Sequence, residues 1–369
     1  MRVQPTGRTI VAKVGSSTLT DERGKVRLAC IAGLVVEIGE LQRLGHRVLL
    51  VSSGAVSSGM GLLGLPARPT EMVDLQAASA VGQGHLYHTY SQLFAHEHVV
   101  TAQVLLTAFD VSARAQYLNA RNTLNRLLEW GVVPIINEND TTSTDELGIG
   151  DNDTLAAQVA LLVKADLLVL LTDTDGLFTA NPATDAEAEH IREVRDFAAL
   201  DDVELDSRGS LGSGGMRGKV EAARMATGGG VETVIARGSR SGVLSAAARG
   251  DDVGTKFFAR DLGLGAYKLW LLHGQPAKGR VIIDPGAARA LRDKGSLLPV
   301  GITGVEGDFA AGDVVLVVDG QGRELAKGVV SYSREELELV KGLRSGQVAE
   351  KLANATPEAI HRDYLVLVE

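Results

Sequence analysis

The chain has 369 residues, 45% of them hydrophobic and only 4% aromatic, with 43 glycines and a net charge of −9. That length and apolar content predict a substantial core divided over two domains, and the acidic balance argues against a general nucleic-acid binder, whose phosphate contacts need clustered Lys and Arg. The single cysteine, Cys30, excludes an internal disulfide, and no run of about 18 apolar residues suggests a membrane span.

Taken in chain order, Thr9–Val14 reads as a strand, and Val26–Leu44 as an amphipathic helix stopped by Gly45. Arg47–Val51 is a second apolar strand. Glu71–Glu97 reads as helical, Val99–Leu105 as extended, and Ala115–Trp130 as helical again. Val132–Ile136, Asp166–Leu171 and Glu232–Ala236 are further buried-strand candidates, with helices Thr154–Val163 and Val220–Thr227 between them. Such alternation predicts an α/β fold, a three-layer α/β/α open and mostly parallel sheet covered on both faces. The pattern changes after about Phe258. Lys268–Leu272, Gly279–Ile283, Val314–Val318 and Lys327–Tyr332 read as short β-like runs, interrupted by helices at Ala287–Lys294 and Arg334–Val340. The expected division is 1–258 for a first domain, 259–277 for a linker and 278–369 for a small, mostly β second domain. The opening MRVQPTGRTIVAKVG lacks the apolar core of a signal peptide, so a cytoplasmic location is expected.

Five strings carry chemistry. In IVAKVGSS, Lys13 interrupts an apolar strand near its carboxyl end, where open α/β sheets bind ligands. A lysine there calls for an anionic partner, and Gly15 lets backbone N–H groups approach an anion; an edge lysine before a turn is the plainer alternative. In VLLVSSGAVSSG, a strand ends at Ser52-Ser53-Gly54 and a helix starts at once, exposing N–H groups suited to a carboxylate or phosphate, or simply a serine cap. In VVPIINENDTTSTDELGIGDNDTLAAQVA, Asn137–Asp140 and Asp151–Asp153 bracket one polar loop, with more Asn and Asp than a single helix cap needs. In LLVLLTDTDGLFTANP, Thr172 and Asp173 end an apolar strand; the spacing does not fit a calcium loop, and a nucleotide-edge role or a plain turn remains. In GSLGSGGMRGKVEAARMA, a glycine-rich loop leads into a helix carrying Lys219, an arrangement suited to polyphosphate. It misses the P-loop frame, because Ser213 stands at the first Gly and Val220 follows the lysine. His85, His88, His96 and His98 form no zinc frame, so no protein-held metal site is expected.

Together these strings resemble the glutamate 5-kinases of the amino acid kinase family, which carry a C-terminal PUA domain. The likeness runs from about Thr9 to Val368 and includes DPGAARALRDKGSLLPVGITGVEGDFAAGDVV and HRDYLVLV in the second domain. The resemblance implies ATP-dependent phosphorylation of the γ-carboxylate of L-glutamate to L-glutamyl 5-phosphate, the first step of proline biosynthesis. It implies catalytic roles for Lys13, Lys219 and Asp153, with Asp153 positioning both lysines. ATP would be held by Lys13, Thr172, Asp173, Ser213, Gly214, Gly215, Met216, Arg217, Gly218 and Lys219. Glutamate would be held by Ser53, Gly54, Asp140 and Asn152. The family pattern often has Thr where this chain has Ser213, a change that keeps the hydroxyl. Mg²⁺ dependence, feedback inhibition by proline and a homo-oligomer of two or four subunits are also implied. A different carboxylate kinase of the same family is the nearest alternative. RNA binding through the PUA domain is a second, against which residues 276–369 carry 12 Lys and Arg for 14 Asp and Glu.

Overall fold

A computed structural model describes residues 7–21, 25–107, 110, 114–142, 152–201, 203, 205, 215–352 and 355–368. The chain divides into two compact units, Met1–Ala266 and Tyr267–Glu369.

The first unit is built on an eight-stranded sheet in the order β3-β4-β2-β1-β5-β9-β10-β8. Its strands are β1 (Thr9–Val14), β2 (Arg47–Ser52), β3 (Thr101–Leu106), β4 (Val133–Glu138), β5 (Leu167–Thr172), β8 (Glu193–Val194), β9 (Glu232–Arg237) and β10 (Thr255–Phe257). From β3 across to β9 every pairing is parallel; β10 then runs antiparallel to β9. A two-stranded hairpin of β6 (Leu177–Phe178) and β7 (His190–Ile191) stands apart from this sheet. The central strands β1 and β5 are buried over their whole length, as expected of parallel strands covered on both faces.

The covering helices follow from their apolar spacing. After the short α1 (Ser16–Leu19), α2 (Leu28–Arg43) buries Ile31, Leu34, Val35, Ile38 and Leu41, one stripe at helical period. It ends before Gly45, whose φ of +88° only glycine adopts without strain. Helix α3 (Ala55–Leu63) packs on the long α4 (Met72–His96), and two glycines make the approach close. A Cβ at Gly59 would lie 1.8 Å from the Ala78 carbonyl oxygen, and one at Gly82 would lie 1.9 Å from that of Ala55. Next come α5 (Arg114–Glu129), α6 (Asn152–Val163), α7 (Met216–Gly228) and α8 (Val243–Arg249). Ile10, Ala12 and Val14 of β1 join residues of α2, α4 and α8 in one core cluster. Side chains alternate along a strand, so Val11 and Lys13 point to the other face, where α6 packs.

The second unit has its own core around a five-stranded sheet in the order β12-β11-β13-β14-β15. These strands are β11 (Gly279–Ile283), β12 (Ile302–Gly307), β13 (Val314–Asp319), β14 (Glu324–Val329) and β15 (Leu365–Leu367). Only β11 and β13 pair in parallel. Asp284 caps α10 (Pro285–Arg292), and Ser333 with Glu336 forms a capping box for α11 (Arg334–Val340), which α12 (Ser345–Lys351) follows.

Two expectations are corrected here. Lys268–Leu272 is not β-like: Ala266–Leu269 (α9) is α-helical and runs into a π-helical turn at Trp270–Gly274. A short apolar run bounded by turns has the same pattern as a strand or a buried helix. The strand expected at Lys327–Tyr332 ends at Val329 and starts earlier, at Glu324. The lysine within it is buried because its ammonium donates to the carbonyls of Leu272 and Gln275.

Candidate active site

Strands β4, β2, β1 and β5 lie side by side and parallel, so their carboxyl ends share one edge of the sheet. Lys13 sits next to last in β1 and is only 3% exposed. Its side chain curls toward the following turn, with a Cβ position at Gly15 lying 3.8 Å from the Lys13 Nζ. The ammonium pairs with Asp153 Oδ1 at 2.6 Å. Asp153 is in the first turn of α6 and has no exposed surface. Its other oxygen, Oδ2, accepts from Lys219 Nζ at 3.0 Å. Lys219 is in the first turn of α7, behind the glycine cap Gly215, and α7 packs against α6. One carboxylate thus gathers two ammonium groups from separate elements in a buried place. Such a pair suits a polyphosphate anion.

A second set of residues adjoins the first through the opening of α6. Asn152, next to Asp153, donates from Nδ2 to Ser53 Oγ at 2.8 Å and to Asn137 Oδ1 at 2.9 Å. Asn137 in turn donates from its own Nδ2 to Gln83 Oε1 at 2.7 Å. Ser53 follows β2, and its backbone N–H donates to the Val14 carbonyl. Gly54 caps α3 with φ +100°, a conformation that exposes the N–H groups of the turn. Asp140, just past β4, accepts a short hydrogen bond from Ser79 of α4. Burial pushes the Asp140 carboxyl above the usual carboxylate range; the Ser79 hydrogen bond and the charge of Arg68 oppose that shift.

Thr172 ends β5, two residues beyond Leu170, the register partner of Lys13, and Asp173 follows it. Thr172 is buried and donates from Oγ1 to Asp173 Oδ1 at 3.1 Å, while Asp173 is exposed. Gly215, Met216 and Gly218 are half-buried and Arg217 is exposed at the start of α7. Ser213 and Gly214, and Asp151 of the polar loop, lie outside the described residues. The four histidines at 85, 88, 96 and 98 are exposed, Cys30 is half-buried, and among the described residues no three His, Cys, Asp or Glu side chains group as metal ligands.

Sequence reasoning missed Gln83 and Ser79. They are one turn apart on α4 and buried at 9% and 2% exposure, each bonded to a residue of the Asn137–Asp140 string. Their only signal was a pair of polar residues at i and i+4 among Ala and Gly, which any exposed helix face also shows.

A sequence profile for the amino acid kinase family matches residues 8–237, most of the first unit and all the elements just described. The chain belongs to the amino acid kinase family. A PUA domain profile matches residues 279–352. Relatives named glutamate 5-kinase include one from Gloeobacter violaceus, 47% identical over 363 residues covering 97% of this chain and 98% of its own. Another, from Synechocystis, is 46% identical over 375 residues, covering 100% and 99%. A third, from Carboxydothermus hydrogenoformans, is 45% identical over 366 residues, covering 98% of each. Among solved structures, a carbamate kinase from Giardia lamblia bound to AMP-PNP superposes with a TM-score of 0.51 at 17% identity, over 69% of this chain and 100% of that one. At that identity the likeness is one of fold, and it places the amino acid kinase fold on the first unit.

Proposed function

We propose that this amino acid kinase transfers the γ-phosphoryl group of ATP to the side-chain carboxylate of L-glutamate, giving L-glutamyl 5-phosphate, the entry to proline synthesis. The full-length relatives named glutamate 5-kinase support this substrate. The observation that carries the chemistry is the convergence of Lys13 and Lys219 on the buried Asp153.

A glutamate side chain, with a pKa of about 4.3, is ionised at neutral pH and needs no general base to attack phosphorus. What the reaction does need is relief of the repulsion between that carboxylate and the triphosphate. The two ammonium groups supply it, and Asp153 keeps them from drifting apart. The γ-phosphoryl group would lie between them, with charge developing on its oxygens and on the departing ADP met by Lys13 and Lys219. Thr172, Asp173 and residues 213–219 would hold the nucleotide. Ser53, Gly54, Asp140 and Asn152 would hold glutamate, with Asp140 accepting from its α-ammonium group. Mg²⁺ would arrive with the nucleotide and would offset negative charge on its phosphates, beside Lys13 and Lys219. The donor set fits that arrangement: among the described residues Lys13 and Lys219 offer cations there, and no three His, Cys, Asp or Glu side chains group as metal ligands.

Proline feedback, assembly into two or four subunits and a cytoplasmic location belong to the same proposal. Among the described residues no helix is long and apolar enough to cross a membrane. RNA is not among the proposed partners.

The decisive experiment incubates the enzyme with ATP, Mg²⁺, hydroxylamine and a panel of acids: glutamate, aspartate, N-acetylglutamate and carbamate. Hydroxamate and ADP should form in equal amounts with glutamate. Turnover of another acid in its place would sink the assignment.

A further inference from the structure

The chain of amides beside the lysine cluster has a direction. Asn137 gives its Nδ2 to Gln83 Oε1, so it must turn its Oδ1 toward Asn152. Asn152 therefore has to present Nδ2 to Asn137, and the same nitrogen also serves Ser53 Oγ. Two consequences follow at the atoms nearest the proposed substrate. The Ser53 oxygen is already accepting, so its own proton is available to donate. Asn152 Oδ1 is buried and accepts no hydrogen bond among the described residues. A buried acceptor left unpaired is costly unless a ligand fills it. Reversing one amide of the series alone would set donor against donor or acceptor against acceptor.

We infer that Gln83 is a positioning residue that holds Asn137, and through it Asn152, in this arrangement, with a bare acceptor at Asn152 and a donor at Ser53, and thereby selects acids that bear an α-ammonium beside a carboxylate. The inference rests on the glutamate reading above and deepens it. Gln83 reaches Asn152 through Asn137. It lies in the middle of α4, a helix held close to α3 by Gly59 and Gly82, so its amide is carried on a rigid support.

The test compares glutamate with glutarate, the same diacid without the amino group, by hydroxamate formation in full-length protein. Gln83→Met keeps an unbranched side chain of similar length but removes the acceptor. In this variant KM for glutamate should rise about tenfold, and the preference for glutamate over glutarate in kcat/KM should fall by about the same factor. The KM for ATP and the kcat at saturating glutamate should move less than about threefold. Gln83→Glu retains an acceptor for Asn137 Nδ2 and should recover most of the preference. Should Gln83→Met not fold, Gln83→Ala is read by the same ratio. An unchanged preference in a folded variant overturns the inference, as does an equal rise in the KM for ATP, or a Gln83→Glu protein as impaired as Gln83→Met. Failure of the wild-type enzyme to act on glutamate would instead remove the proposed function, and the two outcomes are read from different measurements.

Discussion

Lys219 meets Asp153 across 66 residues of chain, and in the proposed function its ammonium also contacts phosphate. Lys219→Ala should therefore lower kcat by about 10²–10³-fold, the usual loss on deleting one preorganised charge donor. The KM for glutamate should change little, and the circular dichroism spectrum should stay that of a folded protein; near-normal turnover would contradict the role. Asp140 makes a prediction about pH. Burial favours its neutral form, so on acidification it takes up a proton at higher pH than an ordinary carboxylate does, and the KM for glutamate should climb there. Ser79→Ala removes a hydroxyl that holds the pKa down, so the rise should begin at still higher pH than in the wild type, with the KM for ATP flat. Lys13 was legible in the sequence because a charge inside IVAKV is conspicuous. Asp153 was readable only as a helix-start acid until the family pattern gave it a partner. Gln83 and Ser79 were not legible, because their partners lie 54 and 61 residues away and nothing local distinguishes them.

Helices α3 and α4 adjoin the residues proposed to hold glutamate, through the Ser53-Gly54 turn and through Ser79 and Gln83, and their contact tolerates no side chain at two points. At Gly82 an added methyl would fall on the Ala55 carbonyl oxygen, which is backbone and cannot swing aside. Gly82→Ala should cost about 1–3 kcal/mol or more in unfolding free energy, measured in urea. It should also raise the KM for glutamate, because the Ser53-Gly54 turn enters α3 directly. A variant as stable as the wild type would show that the helices can separate freely. At this scale the long elements were readable: β1 and α11 fall on their expected spans, and α2 and α4 within two residues. The two- and three-residue strands β6, β7, β8 and β10 were not, since they are too short for any period to emerge. The 266–274 helical stretch was misread because Leu269, Trp270 and Leu271 are buried in succession, as in a strand.

Each of the two units has a core of its own, and every residue assigned to catalysis or substrate lies between Lys13 and Lys219 in the first. A chain ending at Ala266 should consequently keep ATP-dependent hydroxamate formation from glutamate, within about tenfold of the full-length kcat. Complete loss in a soluble, folded truncation would assign part of the chemistry to the second unit. The shift in pattern near Phe258 foretold a second module, and its β-like runs, spaced by Gly, Pro and Asp, foretold its class. Strand β12 was not read at all, because Thr303-Gly304 and Glu306-Gly307 dilute the β signal of Ile302 and Val305.

The three charges at the centre of the first unit are drawn from its first strand, from its middle and from one of its last helices. No fragment of this chain can assemble them locally. Contacts so distant in sequence form late, after helices and hairpins have condensed. When the denatured enzyme is diluted back into buffer, helical signal therefore precedes the first turnover, and phosphoryl transfer reports completion of the sheet rather than collapse of the chain.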